Sequence, residues 1–118
     1  METVTLYRPV GQKELDLIAA TGYREFPPRL PEQPIFYPVL TLEYAEQIAR
    51  DWNTKDERSG FVGYVVEFDV ASSYLSKFEK RKVGDSQHLE YWIPAKELSE
   101  FNRHIAGSIR VTRRFPET

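Results

Sequence analysis

Apolar residues recur along this chain in two periods, and the switches between them mark out the elements. From Val4 to Val10 they alternate every second residue, with Val4, Leu6 and Arg8 on one face, which predicts a strand. From Gln12 to Thr21 the period lengthens. Leu15, Ile18 and Ala19 then form one stripe of a helix, and Gly22 follows as its stop. Residues 26–34 (FPPRLPEQP) carry four prolines in nine positions, which rules out a regular element. That stretch is too apolar for a free linker and is expected to wrap over a cleft or a sheet edge. Ile35 to Leu40 reads as a short apolar strand leading to Thr41, an N-cap with Glu43 in the favourable first turn. The helix after it sets Leu42, Ala45, Ile48, Ala49 and Trp52 on one apolar face.

Asn53 to Gly60 is a polar turn. Phe61 to Val70, β-branched and aromatic, is the strongest strand pattern, with Gly63 permitting a bulge or a close approach of backbone. A short helix is expected over Ser72 to Phe78, then a charged loop through Gly84 to Gln87, and a strand from Leu89 to Ile93. Lys96 to Phe101 reads as a helical turn and Ile109 to Phe115 as a closing strand. Trp52 and Trp92 are assigned to the core. Short strands interspersed with flanking helices, in the order β-α-β-α-β-(α)-β-α-β, predict an α+β fold. The length predicts one domain spanning residues 1–118.

Composition narrows the function classes. A formal net charge of −2 gives no general attraction to nucleic acid or to anionic membranes. The run Lys77 to Lys82 and the group Arg110, Arg113 and Arg114 are local exceptions, read as solvated charges. Cysteine is absent, so no disulfide, thiolate nucleophile or zinc–thiolate site is possible. His88 and His104 are too few for a metal cluster, and no metal is expected. The first residues lack the features of a secretory signal and no apolar run reaches membrane-spanning length. The expectation is a cytoplasmic protein without a membrane partner.

The candidate chemistry centres on Glu90. It leads directly into an apolar aromatic stretch, His88 to Pro94, where a carboxylate is partly desolvated at a cost unless it is paired or functional. Two upstream strands also carry notable groups: Tyr7 and Arg8 in LYRP, and Phe36 and Tyr37 in IFYP ahead of the Thr41 helix. This ordered set, LYRP, PIFYPVLTLEYAEQIA, GFVGYVVEFDV and LEYWIP, resembles the ADP-ribosyltransferase superfamily. The likeness is to its small bacterial proteins labelled ADP-ribosylation/crystallin J1-like, and it runs over nearly the whole chain.

The resemblance implies a compact split β-sheet core with short flanking helices and an NAD co-substrate held in a cleft between two small sheets. No G-x-G-x-x-G fingerprint is expected, and none is present. It implies cleavage of the nicotinamide–ribose bond, by a transferase or an NAD glycohydrolase, with ADP-ribose passing to an unidentified protein or nucleic-acid acceptor. Glu90 would be the catalytic residue, bonding the ribose 2′-hydroxyl and stabilising the cationic transition state. Tyr7 and Arg8 would belong to the NAD-binding set, with Arg8 on the phosphates or ribose. Phe36 or Tyr37 would stack on the nicotinamide, Tyr44 would line the same pocket, and Arg29 would add a phosphate contact.

Two positions depart from the family pattern. Pro9 follows Arg8 where relatives often have glycine, and proline has no N–H with which to grip the nicotinamide amide. His88 stands two residues before Glu90, where arginine-modifying members usually have Glu, and Gln87 lies one position off. A non-catalytic member binding a nucleotide or a partner protein is the alternative. A small ribonuclease using His88 with Glu90 is disfavoured by the acidic net charge. Each residue also has a plainer role: a surface ion pair for Arg8, core packing for Phe36, Tyr37 and Tyr44, a loop-edge position for His88.

Overall fold

The computed structural model describes residues 2–82 and 88–117, so Gly84 and Gln87 lie outside the described residues. Strand β1 (Thr3–Val10) alternates as predicted, burying Leu6, Arg8 and Val10 on one face. Helix α1 (Gln12–Ala20) buries Leu15 and Ile18, and Gly22 follows its end in a left-handed conformation. Strand β2 spans only Ile35–Phe36. Helix α2 (Leu42–Asp51) starts at Thr41, whose side chain accepts from the Tyr44 N–H. After two short 3-10 turns come β3 (Gly63–Ala71), α3 (Ser72–Leu75), β4 (Lys80–Lys82), β5 (Leu89–Tyr91) and β6 (Ile93–Pro94). Helix α4 (Leu98–Arg103) and the long β7 (Ile105–Phe115) complete the chain.

Strand β3 is the centre of an antiparallel sheet ordered β1-β3-β7, while β2 pairs with β6 and β4 with β5. Several small sheets with four helices among the described residues make a mixed α+β domain. Its radius of gyration of 13.5 Å is that of one compact body of this length. No helix among the described residues is long and apolar enough to cross a membrane.

Three differences from the sequence expectations bear on the site. The strand expected over Ile35 to Leu40 stops at Phe36. Pro38 has no N–H for a ladder, but its carbonyl accepts from Tyr91 N at 2.9 Å, and Val39 returns as a single bridging residue. Val39 exchanges two hydrogen bonds with Tyr7, at 2.9 and 2.8 Å, and bridges Glu90 on its other side. This one residue therefore joins β1 to β5. The strand expected over Leu89 to Ile93 divides at Trp92, because β5 pairs with β4 whereas β6 pairs with β2. The expected charged loop includes β4, an all-polar strand whose identity comes from its partner rather than from any apolar pattern.

Gly63 fulfils the expected close approach: any Cβ there would collide with the Ala49 backbone, so α2 lies directly on β3. On the opposite face of the sheet, Phe26, Phe36, Phe68 and Phe101 form an aromatic cluster. Ring centroids lie 5.0 Å apart for Phe26–Phe36, 4.8 Å for Phe26–Phe68 and 5.4 Å for Phe36–Phe101. Each buried ring contributes about 2–3 kcal/mol. Phe26 is also tied down through its backbone, its N–H donating to Asn102 Oδ1 at 2.9 Å and its carbonyl accepting from Asn102 Nδ2 at 3.1 Å. The proline-rich arm thus leaves the core from a fixed point.

Candidate functional site

Where β1 runs past the Val39 bridge the sheet parts, and a cleft of about 1000 Å³ opens. Its walls come from β1 with the start of α1, from the proline-rich arm, and from the β5–β6 junction. The arm contributes Pro27, Pro28, Arg29 and Leu30, so it wraps the cleft as its composition predicts. Arg8, Tyr37 and Glu90 all line this cleft.

Glu90 is only 8% exposed. Each carboxylate oxygen has its own donor. Trp92 Nε1–H donates to Oε1 at 2.8 Å, and the Tyr44 hydroxyl donates to Oε2 at 3.3 Å. No cation forms an ion pair with Glu90 among the described residues, so two neutral donors hold a desolvated negative group. Burial first, then the charge of Glu90 and the hydrogen bond to it, push the Tyr44 hydroxyl above the ordinary tyrosine value. Tyr44 therefore remains a donor at neutral pH. The β4–β5 register sets Arg81 opposite Glu90, and its guanidinium lies 4.6 Å from the centroid of the Trp92 ring.

Arg8 is 9% exposed and occupied on one edge: its Nε and Nη2 donate to the two carboxylate oxygens of Glu14 at 2.6 and 3.0 Å. The ion pair foreseen as a surface contact is thus a part-buried, bidentate one. Its Nη1 makes no hydrogen bond among the described residues. Phe36 lies under the guanidinium at 4.8 Å and is fully buried. It supports Arg8 from the core and does not line the cleft.

Arg29 projects from the arm and is half-buried; its buried Nε has no partner among the described residues. Burial lowers the proton affinity of this guanidinium, the positive charge of Arg8 lowers it further, and Glu14 opposes both. Glu14 thus bonds Arg8 alone and acts on Arg29 only through its charge.

The remaining candidates separate by strand alternation. Tyr7 pairs with Glu67 and Val39, so its side chain lies on the α2 face, opposite to Arg8. Burial, with the charge of Glu67 and a hydrogen bond to it, raises the Tyr7 hydroxyl above its ordinary value. Tyr37 meets Trp92 edge-on at 5.8 Å, and the two rings stand 37% and 38% exposed. Tyr44 reaches Glu90 from α2 without lining the cleft itself, and His88 stacks on its ring at 4.3 Å. The structure therefore assembles Arg8, Tyr37 and Glu90 at the cleft, holds Phe36 and Tyr44 behind them, and turns Tyr7 away.

Alternation also explains Pro9. Tyr7 directs its N–H and C=O toward Val39, so Pro9, two residues on, faces the same side beyond the bridge. Among the described residues no strand runs there. The missing N–H is tolerated, and the Pro9 carbonyl is an acceptor at the cleft edge.

The core assignment of the tryptophans is corrected. Trp52 is 61% exposed and both tryptophans line the cleft, because α2 ends at Asp51 and the β5–β6 switch swings Trp92 outward. Sequence reasoning also missed Glu14 and the Trp92 donor. The signal for Glu14 was an acidic residue in the first turn of α1, directly after the Arg8 strand. No cluster of metal-ligating residues occurs among the described residues. Comparison with family models, curated proteins and solved structures returns no match.

Proposed function

We propose that the chain is an NAD-binding, ADP-ribosyltransferase-like protein that cleaves the nicotinamide–ribose bond and transfers ADP-ribose to an acceptor. The observation that carries this reading is Glu90, a buried carboxylate oriented by two neutral donors on the wall of a cleft that also presents Arg8 and Arg29. A negative charge with no cationic partner among the described residues stabilises a positive charge developing beside it. That is the charge which arises at the anomeric carbon as the bond to nicotinamide breaks. The bonding pair leaves with the ring nitrogen, making nicotinamide neutral. Water or an acceptor heteroatom then bonds to the carbon and releases a proton.

The donor set suits NAD. The free edge of Arg8 and the unpartnered Arg29 match the charge of a pyrophosphate. Tyr37 and Trp92 offer accessible ring faces for a heterocycle, and the cleft volume is at the upper end of small-molecule sites, about 300–1,000 Å³. The Pro9 carbonyl supplies the accepting half of an amide clamp.

Glu90→Gln is the test. The amide is isosteric, its oxygen still accepts from Trp92, and its nitrogen can donate to Tyr44, whose hydroxyl also accepts. The variant is expected to fold and to bind NAD by calorimetry while losing nicotinamide release by at least about a hundredfold. Undiminished release removes Glu90 from the chemistry. The second reading, binding without turnover, draws on Pro9 and on the engagement of Arg8 by Glu14. Wild-type protein that binds NAD and releases no nicotinamide establishes it in place of the first.

A further inference from the structure

A second cavity, of about 370 Å³, lies on the other side of the proline-rich arm. Its lining includes Arg29, Lys96 and Arg103, with Glu25 as the sole carboxylate among the described residues, and the neutral polar groups Ser99 and Asn102. Arg29 and Pro28 belong to both cavities, so the arm is the partition between them. The charges are arranged by local geometry. Ser99 and Arg103 are four residues apart on α4, and Lys96 lies three residues before Ser99 in the 3-10 turn that leads into it. These spacings bring the three side chains to one side of the turn. The double hydrogen bond between Asn102 and the Phe26 backbone then locks the arm against that helix. It sets the base of Arg29 opposite Lys96 and Arg103.

The cationic groups are poorly compensated from within. Arg29 has no ion pair or hydrogen bond among the described residues, and its Nε is buried without a partner. Lys96 makes no ion pair among them, and Arg103 meets Glu100 only at 3.5 Å on an exposed face. Three positive groups around a concavity with one acidic group call for a small anion bearing several acceptor oxygens.

We infer that this second cavity is a binding site for a phosphate group, formed by Arg29, Lys96, Arg103 and the Ser99 hydroxyl and distinct from the large cleft. It stands apart from the nucleotide reading, since none of Lys96, Ser99 and Arg103 lines that cleft. Arg29 is the one charged residue that lines both cavities among the described residues.

The test titrates the full chain with inorganic phosphate and, separately, with ribose 5-phosphate at low ionic strength, following backbone amides by NMR and heats by calorimetry. Saturable shifts centred on Lys96, Ser99 and Arg103 are expected. The double variant Lys96→Glu/Arg103→Glu, both positions on the surface, is expected to weaken binding by more than about tenfold with NAD affinity unchanged. Tighter binding of ribose 5-phosphate identifies a sugar-borne phosphate as the ligand, and equal affinities identify free phosphate. Shifts that do not saturate, that centre on Arg8 instead, or that survive the double variant overturn the site. Failure of NAD to bind leaves this result standing, so the two readings fail separately.

Discussion

Trp92→Phe isolates the contact that orients the Glu90 carboxylate. The substitution keeps an aromatic ring beside Arg81 and Tyr37 and deletes the indole N–H that donates to Oε1 at 2.8 Å. A hydrogen bond to a charged group contributes about 1.5–3 kcal/mol when fully shielded. Trp92 is 38% exposed, so water replaces part of the loss and about 1–2 kcal/mol of stability is expected to go. Tyr44→Phe is expected to cost less, about 0.5 kcal/mol. Its 3.3 Å contact is long for a hydroxyl on a carboxylate, where about 2.5–2.7 Å is usual. Urea unfolding of the wild type, Trp92→Phe, Glu90→Ala and the Trp92→Phe/Glu90→Ala double variant forms the cycle, because alanine leaves the indole N–H no acceptor whereas glutamine keeps one. A coupling of about 1 kcal/mol between Trp92 and Glu90 is expected. If the carboxylate acts in the transition state, the same misorientation lowers kcat about 5–30-fold with little change in KM. A coupling indistinguishable from zero, below about 0.3 kcal/mol, refutes the claim that Trp92 holds Glu90.

Two further outcomes follow from packing and ionisation. Gly63→Ala forces a methyl into the Ala49 backbone and should destabilise by about 1–3 kcal/mol, read as a lower urea midpoint; an unchanged midpoint removes the tight α2–β3 contact. The Tyr74 hydroxyl is buried without a partner among the described residues, and burial, with Glu97 and Glu100, pushes it from 10.0 up to about 12. The folded chain keeps that proton through a window where the unfolded chain releases it. The stability from this group is therefore complete below pH 10.0 and is lost as pH climbs toward about 12. Tyr74→Phe should flatten the alkaline decline in urea midpoint and match or exceed wild-type stability at neutral pH, and an unaltered slope would exclude Tyr74 as its source.

The legible parts of this molecule were those encoded locally. Period-two alternation located β1, and the Thr41 cap set the start of α2. The prolines of the arm kept it irregular, and its apolar residues brought it over the cleft. The Lys80–Lys82 strand was not legible, because an exposed edge strand of charged residues has no apolar period to read. Residues 89–93 looked like one strand because composition is continuous across Trp92, although the hydrogen-bonding partner changes there.

Alternation, capping and proline content by themselves determined the mixed α+β class, the starts of α1 and α2 and the irregular arm. These depend on interactions between residues a few positions apart. Only the tertiary structure decided which faces meet. The Val39 bridge brings Glu90 beside β1, a change of strand partner turns Trp92 from core to cleft, and Glu14 claims one edge of Arg8. Each of these is a pairing between distant strands or across a chain reversal. Whether a carboxylate is buried and which donors reach it depends on that geometry, and no local periodicity carries it.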